Sequence, residues 1–84
     1  MFGVYVLYSP TFDKIYIGQS SQVTIRLHFH NHGPGKGWTA RYRPWELVHV
    51  EEFATRSEAI TREKQLKSAR GRRWIWEELL DSKD

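Results

Sequence analysis

The residues of this sequence best suited to chemistry are two tyrosines near its start, each close to a glycine in a short apolar run. The first run contains Gly3-Val4-Tyr5 and the second contains Tyr16-Ile17-Gly18. We expect a β-hairpin whose loop centres on Ser9-Pro10-Thr11-Phe12, a register that places Tyr5 directly opposite Tyr16. The two phenols would then be neighbours on one face and form a catalytic pair. The other face would be core, lined by Val4, Val6, Ile15 and Ile17.

A helix predicted from about Gln22 to Asn31 adds a cation and an imidazole to this pair. Arg26 and His30 are four residues apart, so both project from the same side of the helix and can converge on one point. Each also has an ordinary interpretation, since arginine can extend its stem along apolar surface and histidine can be partly buried and hydrogen-bonded. Together with Tyr16, they favour a polar site.

A second long helix carries a carboxylate where an aliphatic side chain is expected. Its apolar stripe, formed by Ala59, Ile60 and Leu66, passes through Glu63. An unpaired carboxylate in such a place is costly, so Glu63 needs a cation, either Arg26 or a bound metal. One carboxylate completed by water and substrate oxygens is a normal way to hold Mg²⁺. A structural ion pair between Glu63 and Arg26 is the alternative.

The elements that must position these residues follow from apolar periodicity and turn signals. A capping-box pattern opens the second long helix, and a glycine is expected to separate it from a short closing helix. The predicted elements are strands Gly3–Tyr8, Lys14–Gln19 and Trp45–Phe53, helices Gln22–Asn31, Thr55–Ala69 and Arg73–Leu80, a polar loop His32–Pro44 and a break at Gly71. The expected fold is α/β (α+β): a small three-stranded antiparallel sheet flanked by about three helices.

Basic residues concentrate in two places and suggest a polyanionic partner. One is the stretch that contains Arg62, Lys64, Lys67, Arg70, Arg72 and Arg73; the other is the glycine-rich loop with Lys36, Trp38, Arg41 and Arg43. Clustered cations bind phosphates, and cations mixed with an aromatic side chain suit nucleic acid. A solvated helix face, and an ordinary loop with Trp38 packed against the core, would explain the same residues.

Length and composition limit the classes of protein to consider. A chain of 84 residues, net charge +3, predicts one domain, 1–84, with a single modest core. It has no cysteine, so disulfides and thiolate chemistry are excluded. The apolar runs are too short to span a membrane, and we expect a soluble, cytosolic protein. Among the histidines only His28 and His32 share a helix face, and with no third ligand a zinc site is not expected.

In these residues the chain resembles the GIY-YIG nuclease superfamily, and specifically its small stand-alone bacterial members. The likeness covers nearly the whole chain. Its matched positions are Gly3-Val4-Tyr5 as the first signature, Tyr16-Ile17-Gly18 as the second, Arg26 as the family arginine, His30 as the histidine four residues later, and Glu63 as the metal-binding glutamate. The fold that the resemblance implies agrees with the one predicted from the pattern.

The resemblance implies hydrolysis of a DNA phosphodiester with one divalent metal, Mg²⁺ or Mn²⁺, as in DNA repair, recombination or processing. Glu63 would hold the metal, Arg26 would clamp the phosphate, and Tyr5 would accept the proton of the attacking water. Tyr16 and His30 would position the water or the phosphate. The DNA contacts expected outside this centre are Lys36, Trp38, Arg41, Arg62, Lys67 and Arg70.

Two other classes of function fit the same sequence. The first is a non-catalytic nucleic-acid-binding module that keeps the fold and the basic surface. The second is a structural protein that offers this surface to another protein, for which weak, salt-sensitive DNA binding without cleavage is expected.

Overall fold

The first two apolar runs form a β-hairpin, and a third strand extends it into a sheet. The computed structural model describes residues 1–80. Its elements are β1 (Phe2–Ser9), β2 (Lys14–Ser20), α1 (Val23–His32), α2 (Trp38–Arg41), β3 (Glu46–Phe53), α3 (Arg56–Lys67) and α4 (Ala69–Trp74), which continues into a π-helical segment, Ile75–Leu80. The three strands are antiparallel in the order β2-β1-β3. The predicted fold class is therefore confirmed.

The register of the hairpin differs from the predicted one. Ser9 pairs with Lys14, and Asp13 closes the intervening loop with a left-handed backbone (φ 55°) and an N–H donated to the Ser9 carbonyl at 2.7 Å. Tyr5 consequently lies opposite Gly18, and Tyr16 lies opposite Leu7. The prediction that Tyr5 faces Tyr16 directly was wrong by two residues. A two-residue shift leaves every side chain on its original face, so the two phenols still share one.

One face of the sheet carries the larger apolar core. The predicted core residues of the hairpin are all buried there, against α3, α4 and the π-helical segment. The members of this cluster are Val4, Val6, Ile15, Ile17, Ala59, Leu66, Ile75 and Leu80. The closing helix packs its aromatic and leucine side chains, Trp74, Trp76 and Leu79, against the same cluster.

The other face of the sheet is covered by α1 and the segment that follows it. Tyr5, Leu7 and Trp45 are buried in this second cluster. The predicted loop from His32 to Pro44 contains the short helix α2, and the third strand begins one residue after Trp45. The backbone of Trp45 is diverted from the sheet because it exchanges two hydrogen bonds with the Asn31 side chain, at 2.6 and 3.0 Å.

Helix α3 begins as its sequence predicts. The Thr55 hydroxyl accepts from the Glu58 N–H at 3.2 Å, and the Glu58 carboxylate accepts from the Thr55 N–H at 3.2 Å, which completes a capping box. The helix ends at Lys67, two residues before the predicted Ala69. The break between the helices lies at Ser68 and not at Gly71, and the Ser68 hydroxyl accepts from the Gly71 N–H and caps α4.

Gly71 lies inside α4, at a point where the backbone passes very close to the end of α3. An added Cβ would sit 2.5 Å from the Leu66 Cα, and closer still to the Gln65 carbonyl oxygen. Close packing, not a helix break, is therefore the reason for this glycine. Within the part of the chain that the structure describes, no helix has the length and apolar character needed to cross a membrane.

Candidate active site

Tyr5 stands at the centre of the polar site, on the middle strand of the sheet. Its side chain is only 2% exposed and lies on the α1 face. The opposing residue is Gly18, where an added Cβ would be 2.6 Å from the Tyr5 hydroxyl oxygen and 3.1 Å from a Tyr16 ring carbon. The glycine of the second tripeptide therefore provides the space that the first phenol occupies.

His30 links both tyrosines to the last turn of α1. Its Nε2 lies 3.2 Å from the Tyr5 hydroxyl, and its ring is centred 4.8 Å from that of Tyr16. The rings of Tyr5 and Tyr16 are 6.2 Å apart. His30 is 3% exposed, and its Nδ1 has no hydrogen-bond partner among the described residues. The three side chains thus form one contiguous group beneath the surface.

Burial and nearby cations hold the His30 imidazole in its neutral form. Desolvation lowers the pKa of His30, and the positive charges of Arg26 and Arg43 lower it further. At neutral pH the ring therefore carries one proton and one free nitrogen lone pair. A neutral imidazole that hydrogen-bonds a phenol can accept a proton from it.

Arg26 is exposed on α1, with its guanidinium 5.0 Å from the centre of the Phe29 ring. Its charge acts on both Tyr5 and His30, as expected for two residues four apart on one helix face. The structure does not pair it with Glu63. A solvent-facing guanidinium next to buried phenols is well placed to receive an anion such as a phosphate.

Glu63 lies on α3, which packs against β1 and β2. Its side chain is only 19% exposed, in agreement with its position in the apolar stripe. The carboxylate pairs with Lys67, one turn later, at 3.1 Å, so the structural ion pair is made within α3 and not with Arg26. The carboxylate charge nevertheless reaches the Tyr5 phenol and contributes to its pKa.

The pKa of Tyr5 is raised above its ordinary value. Burial is the largest cause and Tyr16 adds to it, while Arg26 acts in the opposite direction and Glu63 in the same one. Tyr5 is therefore a protonated phenol at neutral pH. An isolated phenolate at this position is strongly disfavoured, so a basic role requires a partner that takes its proton.

The side chains of the site suit a hydrated divalent cation better than zinc. No cluster of three or more histidine, aspartate or glutamate side chains occurs among residues 1–80. Among the described residues, Glu63 is the shielded carboxylate whose charge acts on Tyr5. A single carboxylate suits Mg²⁺ or Mn²⁺, which retain several waters and bind substrate oxygens, whereas zinc requires more protein ligands. His28 and His32 do share a face, with rings 4.8 Å apart.

The structure places the predicted DNA-binding residues in two separate groups. Lys36, Trp38 and Arg41 belong to the segment between α1 and β3, where the Trp38 ring is centred 6.4 Å from the Tyr16 ring. Arg62 and Lys67 are already engaged, the first with Glu51 at 3.0 Å and the second with Glu63. Arg70 is exposed on α4.

Sequence reasoning missed the structural role of Arg43 and the steric role of Gly18. The Arg43 guanidinium donates to the carbonyls of His30 and Gly33, the latter at 2.8 Å, and so binds the end of α1. Arg43 follows the last residue of α1, His32, by 11 residues, so no local sequence pattern signals this contact. The space at Gly18 depends on register, which the tripeptide alone does not reveal.

The comparisons with known proteins agree with this fold. The GIY-YIG catalytic domain model matches residues 1–75 of the chain. This match covers most of the chain, so the chain belongs to the GIY-YIG family.

Among curated proteins, the chain is similar to UPF0213 proteins of an archaeon and of staphylococci. It is 41% identical over 56 residues to one from Haloquadratum walsbyi, covering 67% of this chain and 63% of that protein. It is 41% identical over 55 residues to one from Staphylococcus epidermidis, covering 66% and 67%. The alignment thus spans just under two thirds of the archaeal relative. No solved structure is significantly similar to this chain.

Proposed function

We propose that this protein is a metal-dependent DNA endonuclease that hydrolyses phosphodiester bonds with Tyr5, Tyr16, Arg26, His30 and Glu63. The observation that carries the proposal is the hydrogen bond between Tyr5 and His30 at 3.2 Å. The charges of Arg26 and Glu63 both act on the Tyr5 phenol. A buried tyrosine–histidine pair, an exposed guanidinium and a shielded carboxylate are groups that phosphodiester hydrolysis can use. The family match supports the same conclusion.

Tyr5 accepts the proton of the attacking water while its own phenolic proton passes to His30 Nε2. The raised pKa of Tyr5 rules out a standing phenolate, and the lowered pKa of His30 keeps its ring neutral and able to accept. His30 carries its own proton on Nδ1 in this arrangement. Tyr16, in contact with the His30 ring, orients the water or the phosphate by its hydroxyl.

Arg26 binds the scissile phosphate and neutralises charge as it develops on the phosphoryl oxygens. Glu63 would hold a Mg²⁺ or Mn²⁺ ion, which when bound supplies Lewis-acid stabilisation of the phosphate and the leaving oxygen. Occupation of Glu63 by a cation would release Lys67 for a phosphate contact. Lys36, Arg41, Arg62 and Arg70 are the further cations proposed to contact the DNA backbone.

We further propose that residues 1–84 act as one domain in the cytosol, in DNA repair, recombination or processing. The last four residues lie outside the part of the chain that the structure describes. The rival function is a nucleic-acid-binding module without catalysis. The intact group of five site residues favours the enzyme, because a module that only binds has no use for a buried tyrosine–histidine pair.

The deciding experiment measures nicking of supercoiled plasmid by wild-type protein and by Glu63→Gln, each with Mg²⁺, Mn²⁺ or EDTA. Wild-type protein should nick only with metal, and the amide variant should lose at least about a hundredfold in rate because it removes the anionic ligand.

Glu58→Gln is the matched control, since Glu58 is a glutamate of the same helix that serves the capping box. It should lower stability slightly and leave nicking within about threefold of wild type. Metal-dependent nicking that survives Glu63→Gln in full would overturn the assignment of Glu63. DNA binding without any metal-dependent nicking by wild-type protein would establish the non-catalytic module instead.

A further inference from the structure

A row of aromatic side chains leads from the catalytic group to the protein surface. Tyr16 is followed by Trp38, with ring centres 6.4 Å apart, then by Tyr42 at 4.9 Å and by Phe12 at 5.4 Å. Neighbouring rings in the row are therefore in contact range, and three separate segments contribute them: β2, α2 with the residue after it, and the hairpin loop. The proposed catalysis uses only Tyr16.

Two members of this row remain exposed although the row begins in a buried cluster. Trp38 and Phe12 are each 45% exposed. Trp38 is anchored from behind by Trp45, whose ring is 5.6 Å away and whose indole N–H donates to the Thr39 carbonyl at 2.8 Å. A large aromatic side chain that is fixed at one edge and open to solvent is suited to binding a flat ligand.

Basic side chains lie close to members of the aromatic row. The Lys14 ammonium lies 5.5 Å from the centre of the Tyr42 ring, and Arg41 follows Trp38 by one helical turn. Lys36 precedes Trp38 by two residues and is exposed. Asp13, which follows Phe12 in the sequence, accepts a hydrogen bond from the Tyr8 hydroxyl at 2.9 Å. The surroundings of the row are thus mainly positive.

We propose that the exposed rings of Trp38 and Phe12, supported by Tyr16 and Tyr42, form a stacking platform for unpaired nucleobases, so that the substrate of this site is single-stranded or frayed DNA. Bases inside a duplex stack on one another and cannot present their faces, whereas unpaired bases stack on aromatic side chains while cations bind the intervening phosphates. The inference rests on the proposed nuclease function and deepens it, since the platform would deliver the strand to the phosphate site at Arg26.

The test measures binding of a fluorescent 20-nucleotide oligo(dT) and of a hairpin duplex in EDTA, so that catalysis does not enter. Trp38→Ala should weaken binding of oligo(dT) at least about tenfold, and the duplex should be affected much less. Trp38→Phe keeps an aromatic face and should retain most of the affinity. Phe12→Ala, in the hairpin loop, should weaken oligo(dT) binding by an intermediate factor.

Val50→Ala is the matched control, because Val50 is also 45% exposed but lies on β3, outside the row. It should bind both DNAs like wild type. The slope of log Kd against log salt should be the same for Trp38→Ala and wild type, since the substitution removes no cation. Thermal melts of all variants establish that each is folded at the assay temperature.

The platform is disproved if folded Trp38→Ala binds oligo(dT) as wild type does, or if it loses oligo(dT) and duplex affinity by the same factor. Failure of the nuclease function gives a different result. Trp38-dependent oligo(dT) binding without metal-dependent nicking would leave the platform in place and remove catalysis, whereas nicking without Trp38-dependent binding would remove the platform alone.

Discussion

At the scale of single residues, the site depends on two groups whose protonation is set by burial. The Tyr5 phenol is buried and its pKa is raised, and the His30 imidazole is buried and its pKa is lowered. Each shift disfavours the charged form, so the pair is neutral at rest. If Tyr5 gives its proton to His30 while it takes one from the water, Tyr5 stays neutral and the positive charge ends on His30, so no buried phenolate has to form.

The joint action of Tyr5 and His30 predicts a definite pH profile. Nicking by wild-type protein should rise with pH through an inflection below the usual histidine value of about 6.5 and then reach a plateau, because only neutral His30 accepts the proton. Tyr5→Phe should lose most of the turnover and keep DNA affinity. Rates measured from pH 5 to 10 check this, and a continuous rise up to pH 10 would show Tyr5 acting without His30.

Gly18 predicts a steric effect at the same scale. Gly18→Ala would place a methyl group 2.6 Å from the Tyr5 hydroxyl oxygen, so the phenol must move away from His30. Turnover should fall roughly a hundredfold, since displacements of about 1 Å at a reacting group have effects of that size. The measurements are single-turnover nicking and a thermal melt.

Gly35→Ala is the control for this substitution, because nothing lies within 4 Å of a Cβ built at Gly35. It should nick like wild type. Equal activities for the two alanine variants would show that Tyr5 does not need the space at Gly18.

At the scale of elements, α1 is held in place chiefly by contacts at its C-terminal end. Asn31 exchanges two hydrogen bonds with the Trp45 backbone, and Arg43 donates to carbonyls of the last turn. His30 belongs to this last turn, so the contacts of Asn31 and Arg43 that hold the turn in place also orient the imidazole. The stability of α1 and the geometry of the site are therefore linked.

Arg43→Gln should weaken that end of α1. Loss of charged hydrogen bonds to two carbonyls should lower the free energy of unfolding by about 1–2 kcal/mol. The melting temperature should fall by roughly 5–15 °C in a domain of this size. Arg41→Gln, which removes an exposed arginine two residues earlier, should melt within about 2 °C of wild type. Equal melting temperatures for the two variants would contradict a structural role of Arg43.

At the scale of the whole molecule, the sheet separates two clusters with different tasks. The cluster under α3, α4 and the π-helical segment is aliphatic and supplies most of the apolar burial. The cluster under α1 is aromatic and holds the polar site. On the side of the first cluster, Glu51 joins β3 to α3 through a bidentate ion pair with Arg62, at 3.0 and 3.1 Å. The Glu51 carboxylate also contacts the His49 ring at 2.7 Å.

Glu51 makes the stability of the protein depend on acid. Burial alone would raise the pKa of the Glu51 carboxyl, but hydrogen bonds from Arg62 and His49 lower it below its usual value. The depressed pKa adds stability that is present above the unfolded-state pKa and lost as pH falls through the folded-state pKa. Glu51→Gln should therefore cost about 1 kcal/mol at pH 7 and progressively less below pH 4.5.

Urea unfolding at pH 7, 4 and 3 measures this dependence. Glu52→Gln is the control, since Glu52 is the next residue of β3 and is exposed on the other face. It should change stability by less than about 0.5 kcal/mol at each pH. A stability difference between wild type and Glu51→Gln that is constant from pH 7 to 3 would show that this carboxylate does not titrate with unfolding.

The sequence by itself determined the elements and the faces on which their residues lie. Alternation along β1 and β2 separates Tyr5 and Tyr16 from the valine and isoleucine core in both the predicted and the observed register, because a shift of two residues preserves the faces. The capping box at Thr55 and the helical spacing of Arg26 and His30 are likewise local, and each was found as predicted. Such features depend only on neighbours in the chain.

The tertiary structure alone decided the register of the hairpin, the ion-pair partner of Glu63 and the close approach of α4 to α3 at Gly71. The left-handed Asp13 moved Tyr5 opposite Gly18, Lys67 took the place expected of Arg26 beside Glu63, and the packing of α4 onto α3 explained Gly71. These outcomes depend on distances between segments far apart in sequence, which periodicity does not encode. The aromatic row is of the same kind, since its four rings come from three segments that only the folded chain brings into contact.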